Sequence, residues 1–146
     1  CAERTTALGL QFMRVLDDVV AACRELPRQD VLYLIWRAPW MTVSRDTYIS
    51  RTLALIGWDT LPAASDKRYP EIELDTALLA APDHILLSSE PYRFRERHLD
   101  EIRKLLPSHA QARVALIDGE MTSWYGSRAI RGLAYLKDFR LNTPRD

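Results

Sequence analysis

Apolar residues recur along the first part of the chain at three-, four- and seven-residue steps. Leu8, Phe12, Val15, Val19 and Leu26 form the stripe, and Arg14, Asp17, Asp18 and Arg24 lie off it. That period predicts one amphipathic helix over residues 4–26, stopped by Pro27. At ~1.5 Å per residue it would span about 34 Å. The pattern then changes. Val31 to Trp36 is a continuous apolar run, which predicts a strand buried on both faces. Asp46 is placed to cap a helix whose face is Ile49, Leu53 and Ile56 and whose stop is Gly57. Residues 58–69 read as a loop around Pro62, with a short strand near Thr60 and Leu61.

Further on, Leu74–Ala81 reads as a short helix before Pro82, and Ile85–Ser88 as a second buried strand. Residues 95–106 predict a charged surface helix with Leu99, Ile102 and Leu106 inward, ended by Pro107. Val114–Ile117 is a third strand, and a last helix turns Ile130, Leu133 and Leu136 inward. Buried strands alternating with helices predict an α/β fold of three αβα layers. The expected sheet is mostly parallel with about four strands, a Rossmann-like arrangement preceded by a long helix that crosses one side of the domain or bridges to another.

A chain of 146 residues suits one domain. Lys+Arg 20 against Asp+Glu 20 leaves a formal net charge of zero, so no general field favours nucleic acid or an anionic membrane. No apolar run reaches the ~18 residues of a membrane span. The 5 glycines stand too far apart to build a phosphate loop or a nucleophile elbow. Cys1 and Cys23 form no zinc spacing and no disulfide framework. Cys23 falls on the apolar face of the first helix and reads as a small core residue. Cys1 in place of Met leads us to expect a processed product or a fragment, with lipidation of Cys1 as an alternative. The residues that follow read as helix rather than as a signal segment.

In parallel α/β folds, ligands bind beyond the carboxyl ends of the strands. The loops after the three strands are rich in aromatics and charge. Together they offer Trp36, Trp40, Tyr92, Phe94, Trp124 and Tyr125, with Arg37, Arg93 and Arg128. Rings for burial and guanidinium groups for carboxylate or phosphate suit a flat, partly apolar, partly anionic ligand. Trp40, Trp124 and Tyr125 are expected to show exposed ring faces on one surface, flanked by Arg37 and Arg128. The plainer reading makes the rings core plugs and the arginines surface charge. An enzyme would have Asp118 and Glu120 to work with, two carboxylates at i, i+2. Yet His84, His98 and His109 read as lying at a strand start, on a surface helix and in a loop after Pro107, away from that edge. Asp118 then reads as a carboxylate that orders its loop through backbone N–H groups. The histidines share no metal-ligand spacing, so neither a metal site nor a cofactor is expected.

Several of these segments carry a resemblance. Tyr33 to Met41, Asp46 to Ile49, Tyr69 to Ile72, Ala81 to Asp83, Ser88 to Pro91, Asp118 to Glu120 and Ser123 to Arg128, in this order and spacing, are similar to the carboxyl-terminal lobe of the helical-backbone metal-receptor family. These are class III periplasmic substrate-binding proteins of ABC importers for cobalamin, iron-siderophore and haem. The resemblance implies that residues 1–29 hold the helix joining two lobes, that residues 30–146 are the carboxyl-terminal lobe, and that the amino-terminal lobe is absent from this chain. It implies a solute-binding function without catalysis and a metal chelate as ligand, the short motifs looking closest to cobalamin receptors. The ligand would meet Arg37, Trp40, Tyr92, Arg93, Trp124, Tyr125 and Arg128. It implies further partners, an ABC permease and the missing lobe, and a periplasmic or extracytoplasmic location. The permease would meet Asp75 at the start of a short helix, with Glu73 and Glu71 sharing the role. The family more often carries Glu at that position. Asp75 is then expected to be exposed, without an internal arginine partner and away from the aromatic loops. A partner-binding or structural domain that has lost its ligand is the alternative.

Overall fold

The computed structural model describes residues 2–123 and 128–142. The amphipathic stripe forms helix α1 (Ala2–Cys23). It ends short of Pro27, because Arg24 N–H bonds Ala21 O and Leu26 N–H bonds Cys23 O in a tightened final turn. The stripe divides along its length. Val19 and Cys23 are buried and Phe12 and Val15 pack partly against the core, whereas Leu8 is 42% exposed.

Strand β1 (Gln29–Trp36) is the apolar run, and it lies inside the sheet. Strand β2 (Met41–Thr42) pairs antiparallel with its carboxyl half, Thr42 opposite Leu34. This corrects the expectation that the first strand leads only into a loop, since the chain turns back within four residues and reuses the free edge of β1. Helix α2 (Tyr48–Leu55) follows. Its cap is Thr47 rather than the expected Asp46, the Thr47 hydroxyl accepting Ser50 N–H at 3.1 Å. Asp46 pairs with Arg51 instead, at 3.3 Å. Gly57 at φ 85° lets the chain leave α2, a conformation that favours glycine.

Strand β3 (Trp58–Thr60) lies parallel to Gln29–Val31 on the same side of β1 as β2. Helix α3 (Thr76–Ala80) is shorter than expected, Leu74 and Asp75 lying before it and Ala81 after it. Strand β4 (His84–Ser88) pairs parallel with β1, helix α4 (Glu96–Leu105) follows, and strand β5 (Arg113–Ile117) pairs parallel with β4. The segment after β5, expected to be loop, begins as helix α5 (Gly119–Ser123). Helix α6 (Arg128–Asn142) closes the described chain. The result is a mostly parallel five-stranded sheet, with the order β2-β1-β4-β5 and β3 beside β1.

Strand alternation divides the core in two. Val31, Tyr33 and Ile35 meet Val19 of α1, Leu53 of α2 and Leu136 of α6 on one face. Leu32 and Leu34 meet Leu79 of α3 and Ile102 of α4 on the other. These are the three expected layers. Arg140 of α6 is buried and donates to Ile56 O at 3.2 Å and Pro27 O at 2.9 Å, satisfying carbonyls after α2 and α1. Cys23 is buried as expected, and burial raises its thiol pKa.

Candidate functional site

Because β1, β4 and β5 run parallel, their carboxyl ends open on one edge. Hydrogen bonds tie the segment after β4 to the ends of β1 and β5 and to the start of α5. Tyr92 N–H bonds Ile35 O at 3.2 Å, and Ser89 N–H bonds Ile117 O at 3.0 Å. Gly119 N–H bonds Ser89 Oγ at 2.9 Å. Beneath them lies a buried hydroxyl network. Tyr33 Oη is 2.6 Å from Thr122 Oγ1 and donates to Ser88 Oγ at 3.1 Å, and Ser88 Oγ donates to Glu90 O at 2.7 Å. Burial pushes the Tyr33 phenol up to about 12, so it stays protonated. Gly119 sits so close over Ser88 that a Cβ would overlap Ser88 Oγ. Glycine is what lets α5 pack onto the end of β4.

Two clefts meet at Glu90 and Pro91. The larger, about 700 Å³, lies over the ends of β4 and β5 and takes Ser89, Arg93, Asp118, Glu120 and Tyr135 into its lining. The smaller, about 350 Å³, is more apolar and lies between Ile35, Ile49, Tyr69 and Ser123. The Asp118 carboxylate accepts Glu120 N–H at 3.0 Å and Met121 N–H at 3.3 Å, the loop-ordering role expected of it. Among the described residues no group of His, Cys, Asp and Glu could hold a metal ion.

The expected ligand residues fall into two sets. Arg37, Trp40 and Tyr92 gather against α4. Arg37 is held by Glu101 through Nε and Nη2 at 3.0 and 2.8 Å, and its guanidinium lies 5.7 Å from the Trp40 ring. Trp40 is partly buried and stacks on Phe94 at 6.1 Å, so its ring is not the bare face that was expected. Tyr92 packs edge-on to Trp36 at 5.5 Å and lies 4.6 Å from Phe94. Arg93 is exposed on the larger cleft and makes no ion pair among the described residues. Arg128 is exposed at the start of α6. Trp124 and Tyr125 lie outside the described residues.

Sequence reasoning missed Tyr69 and His98. Tyr69 is 50% exposed and reaches the smaller cleft. Residues 68–72 bring it there by pairing with 40–44, Thr42 N–H bonding Pro70 O at 3.1 Å and Ser44 N–H bonding Arg68 O at 2.7 Å. Such pairing has no local sequence signal. His98, expected on a surface helix, is buried against Tyr92 and Phe94. A histidine three residues after the start of a helix was the one available clue. His84 is buried at the opposite end of β4, and burial, with Arg140 next in effect, lowers its pKa.

Glu71, Glu73 and Asp75 are exposed, and Ile72 and Leu74 between them pack inward. Exposure alternates along 71–75, which places the three acids on one side. None of the three makes an ion pair among the described residues. Asp75 accepts Leu78 N–H at 2.8 Å as the cap of α3. The run leading to it lies beside the aromatic turn rather than away from it, with Ile72 N–H on Trp40 O at 2.9 Å.

No family model matches the sequence, and neither does any curated protein. Solved structures do match the fold. The apo periplasmic haem-binding protein of Roseiflexus sp. RS-1 superimposes with a TM-score of 0.74 at 19% identity, over 95% of this chain and 55% of that one. The fold is that of one lobe of a class III periplasmic binding protein. The periplasmic vitamin B12 binding protein of Vibrio cholerae matches this lobe with a TM-score of 0.65 at 14% identity, over 88% of this chain and 50% of its own. A structure of the Fe3+-hydroxamate transport system of Saccharomonospora viridis gives 0.65 at 18% identity, over 97% and 50%. The lobe thus spans about half the length of the structures it matches. No helix among the described residues is long and apolar enough to cross a membrane.

Proposed function

We propose that this chain is the carboxyl-terminal, solute-binding lobe of an ABC-importer substrate-binding protein and takes a metal chelate at the carboxyl edge of its sheet. The observation that carries the reading is the pair of clefts meeting at Glu90 and Pro91, on the edge where parallel sheets bind ligands. The class III lobe fold and its half-length match support it. The ligand wall in this reading is Arg93 with Trp40 and Tyr92, joined by Trp124, Tyr125 and Arg128, while Arg37 holds the wall to α4. Its partners are a second lobe that covers the ligand and an ABC permease that meets the acidic face of Glu71, Glu73 and Asp75. Its location is periplasmic or extracytoplasmic. The lobe binds and does not catalyse: the Asp118 carboxylate is committed to α5 amides.

Among the described residues the larger cleft presents Glu90, Asp118 and Glu120 against Arg93. Together these carboxylates repel the two carboxylates of haem, and Glu90 and Glu120 offer acceptors to the amide-bearing rim of a corrinoid. Cobalamin is therefore the chelate this reading favours. The test is to add cyanocobalamin, haemin or a ferric hydroxamate to the isotope-labelled chain and map resonance changes. We expect them at Tyr69, Arg93 and Ser123, strongest with cyanocobalamin. Changes confined to the Arg28–Gly57 end, or none with any of the three at millimolar concentration, overturn the proposal.

A further inference from the structure

His98 is the third residue of α4 and lies under the aromatic rings of the candidate site. Its Nδ1 accepts the backbone N–H of Arg95 at 2.8 Å. The proton is therefore on Nε2, which donates to Tyr92 Oη at 3.3 Å. Tyr92 and Phe94 stand edge-on to the imidazole at 5.5 and 5.4 Å. Glu or Gln commonly reaches back in this way to close a capping box, and neither Gln nor an ionised Glu changes charge near neutral pH. Histidine does. A proton on Nδ1 removes the lone pair that Arg95 N–H needs and sets two N–H groups facing each other. It also puts a positive charge at the positive end of a helix.

We infer that neutral His98 is the positioning residue that fastens the end of the Tyr92–Phe94 segment to the start of α4 through Arg95 N–H, and that its protonation releases that attachment of the segment. The charged surroundings agree. Burial, then the Arg97 guanidinium on the same helix, moves the imidazole pKa down from 6.5. Glu101 and, more weakly, the backbone of Arg95 oppose this, and Arg37, from the turn after β1, adds to it. Glu101 is itself shared with Arg37, which leaves it a weak counter-charge for an imidazolium. Because the native pKa lies below the unfolded one, the unfolded chain takes the proton first. The cap is at full strength above about 6.5 and is lost as pH falls through the lower native value. Regulation of ligand binding by this device rests on the proposed function. The release of the segment does not, and it is read without ligand.

The experiment is an NMR titration of the chain from about pH 8 to about pH 5, following both the imidazole signals and amide exchange. Arg95 amide protection should fall by roughly tenfold, the worth of one cap, with the midpoint of the His98 imidazole rather than that of His84. In His98→Gln, which keeps an acceptor and does not titrate, the Arg95 amide should stay protected across the range. Arg95 protection that persists after His98 titrates overturns the inference, and this is read in the unsubstituted chain. So does the same loss of protection in a folded His98→Gln. Absence of chelate binding at both ends of the pH range, with the release intact, removes the proposed function and leaves this inference standing.

Discussion

Tyr33 lies within β1 with its ring in the apolar core and its hydroxyl in a polar network. Its partners Ser88 and Thr122 are 55 and 89 positions away along the chain. In the sequence it is one letter of an apolar run, and its burial was legible. The hydroxyl contacts were not, because partners that distant leave no local pattern. Gly119 was legible only as a glycine after a strand. Its reason is the approach of α5 to Ser88 and Glu90, which only the folded chain displays. Two substitutions separate the roles. Tyr33→Phe leaves the packing intact and strips a buried network of one hydroxyl, which should cost about 1–2 kcal/mol. Gly119→Ala forces a methyl onto Ser88 Oγ and against Glu90 N at 3.0 Å, and should cost about 1–3 kcal/mol. Denaturant midpoints read both. A Gly119→Ala chain as stable as the parent would mean that residues 88–90 yield, and that the edge is not held as described.

At the scale of elements, continuous apolar runs placed β1, β4 and the half-buried edge strand β5, and the 3.6-residue repeat placed the main helices, because the core imposes both patterns. These patterns failed where tertiary pairing decides. Residues 41–42 form a strand because the edge of β1 is free there, and residues 70–72 are held beside that turn by a bridge from Glu71 to Met41 and by backbone hydrogen bonds. The stripe of α1 is apolar from end to end, yet Leu8 at its start is exposed. Periodicity shows which face is apolar but not what lies against it. The acidic run illustrates the same limit, since its acids alternate on a strand-like segment and only Asp75 caps a helix. That separates two roles of one residue. Asp75→Ala removes the cap and should lower stability by about 1 kcal/mol, whereas Asp75→Asn keeps it at a cost of a few tenths. If the acidic face docks a permease, Asp75→Asn combined with Glu71→Gln and Glu73→Gln should weaken permease binding of the whole binding protein while its melting temperature barely moves. Unchanged permease binding in that triple variant would rule the docking role out.

For the whole molecule, the edge that bears the candidate site follows from strand direction alone, so its position was legible before any contact was known. What the edge presents was legible only in part. Arg37 was read as a ligand group and is held by Glu101, and Tyr69 was passed over and lines a cleft. Irregular segments place these side chains, and no repeat encodes an irregular segment. The sheet is covered on both faces by two apolar clusters, so the lobe has a complete core of its own. We therefore expect the chain to unfold cooperatively, with fluorescence and circular dichroism transitions that coincide. The clefts are a different matter. Both are open, and a tight small-molecule site covers about 70–90% of its ligand. A corrinoid or haem has two broad faces, and one wall can cover little more than one of them. Titration calorimetry of this chain with cyanocobalamin, haemin and a ferric siderophore should then give no affinity tighter than about micromolar, roughly −8 kcal/mol. A nanomolar isotherm would mean that this lobe encloses its ligand unaided, and the half-site view of the edge would have to be given up.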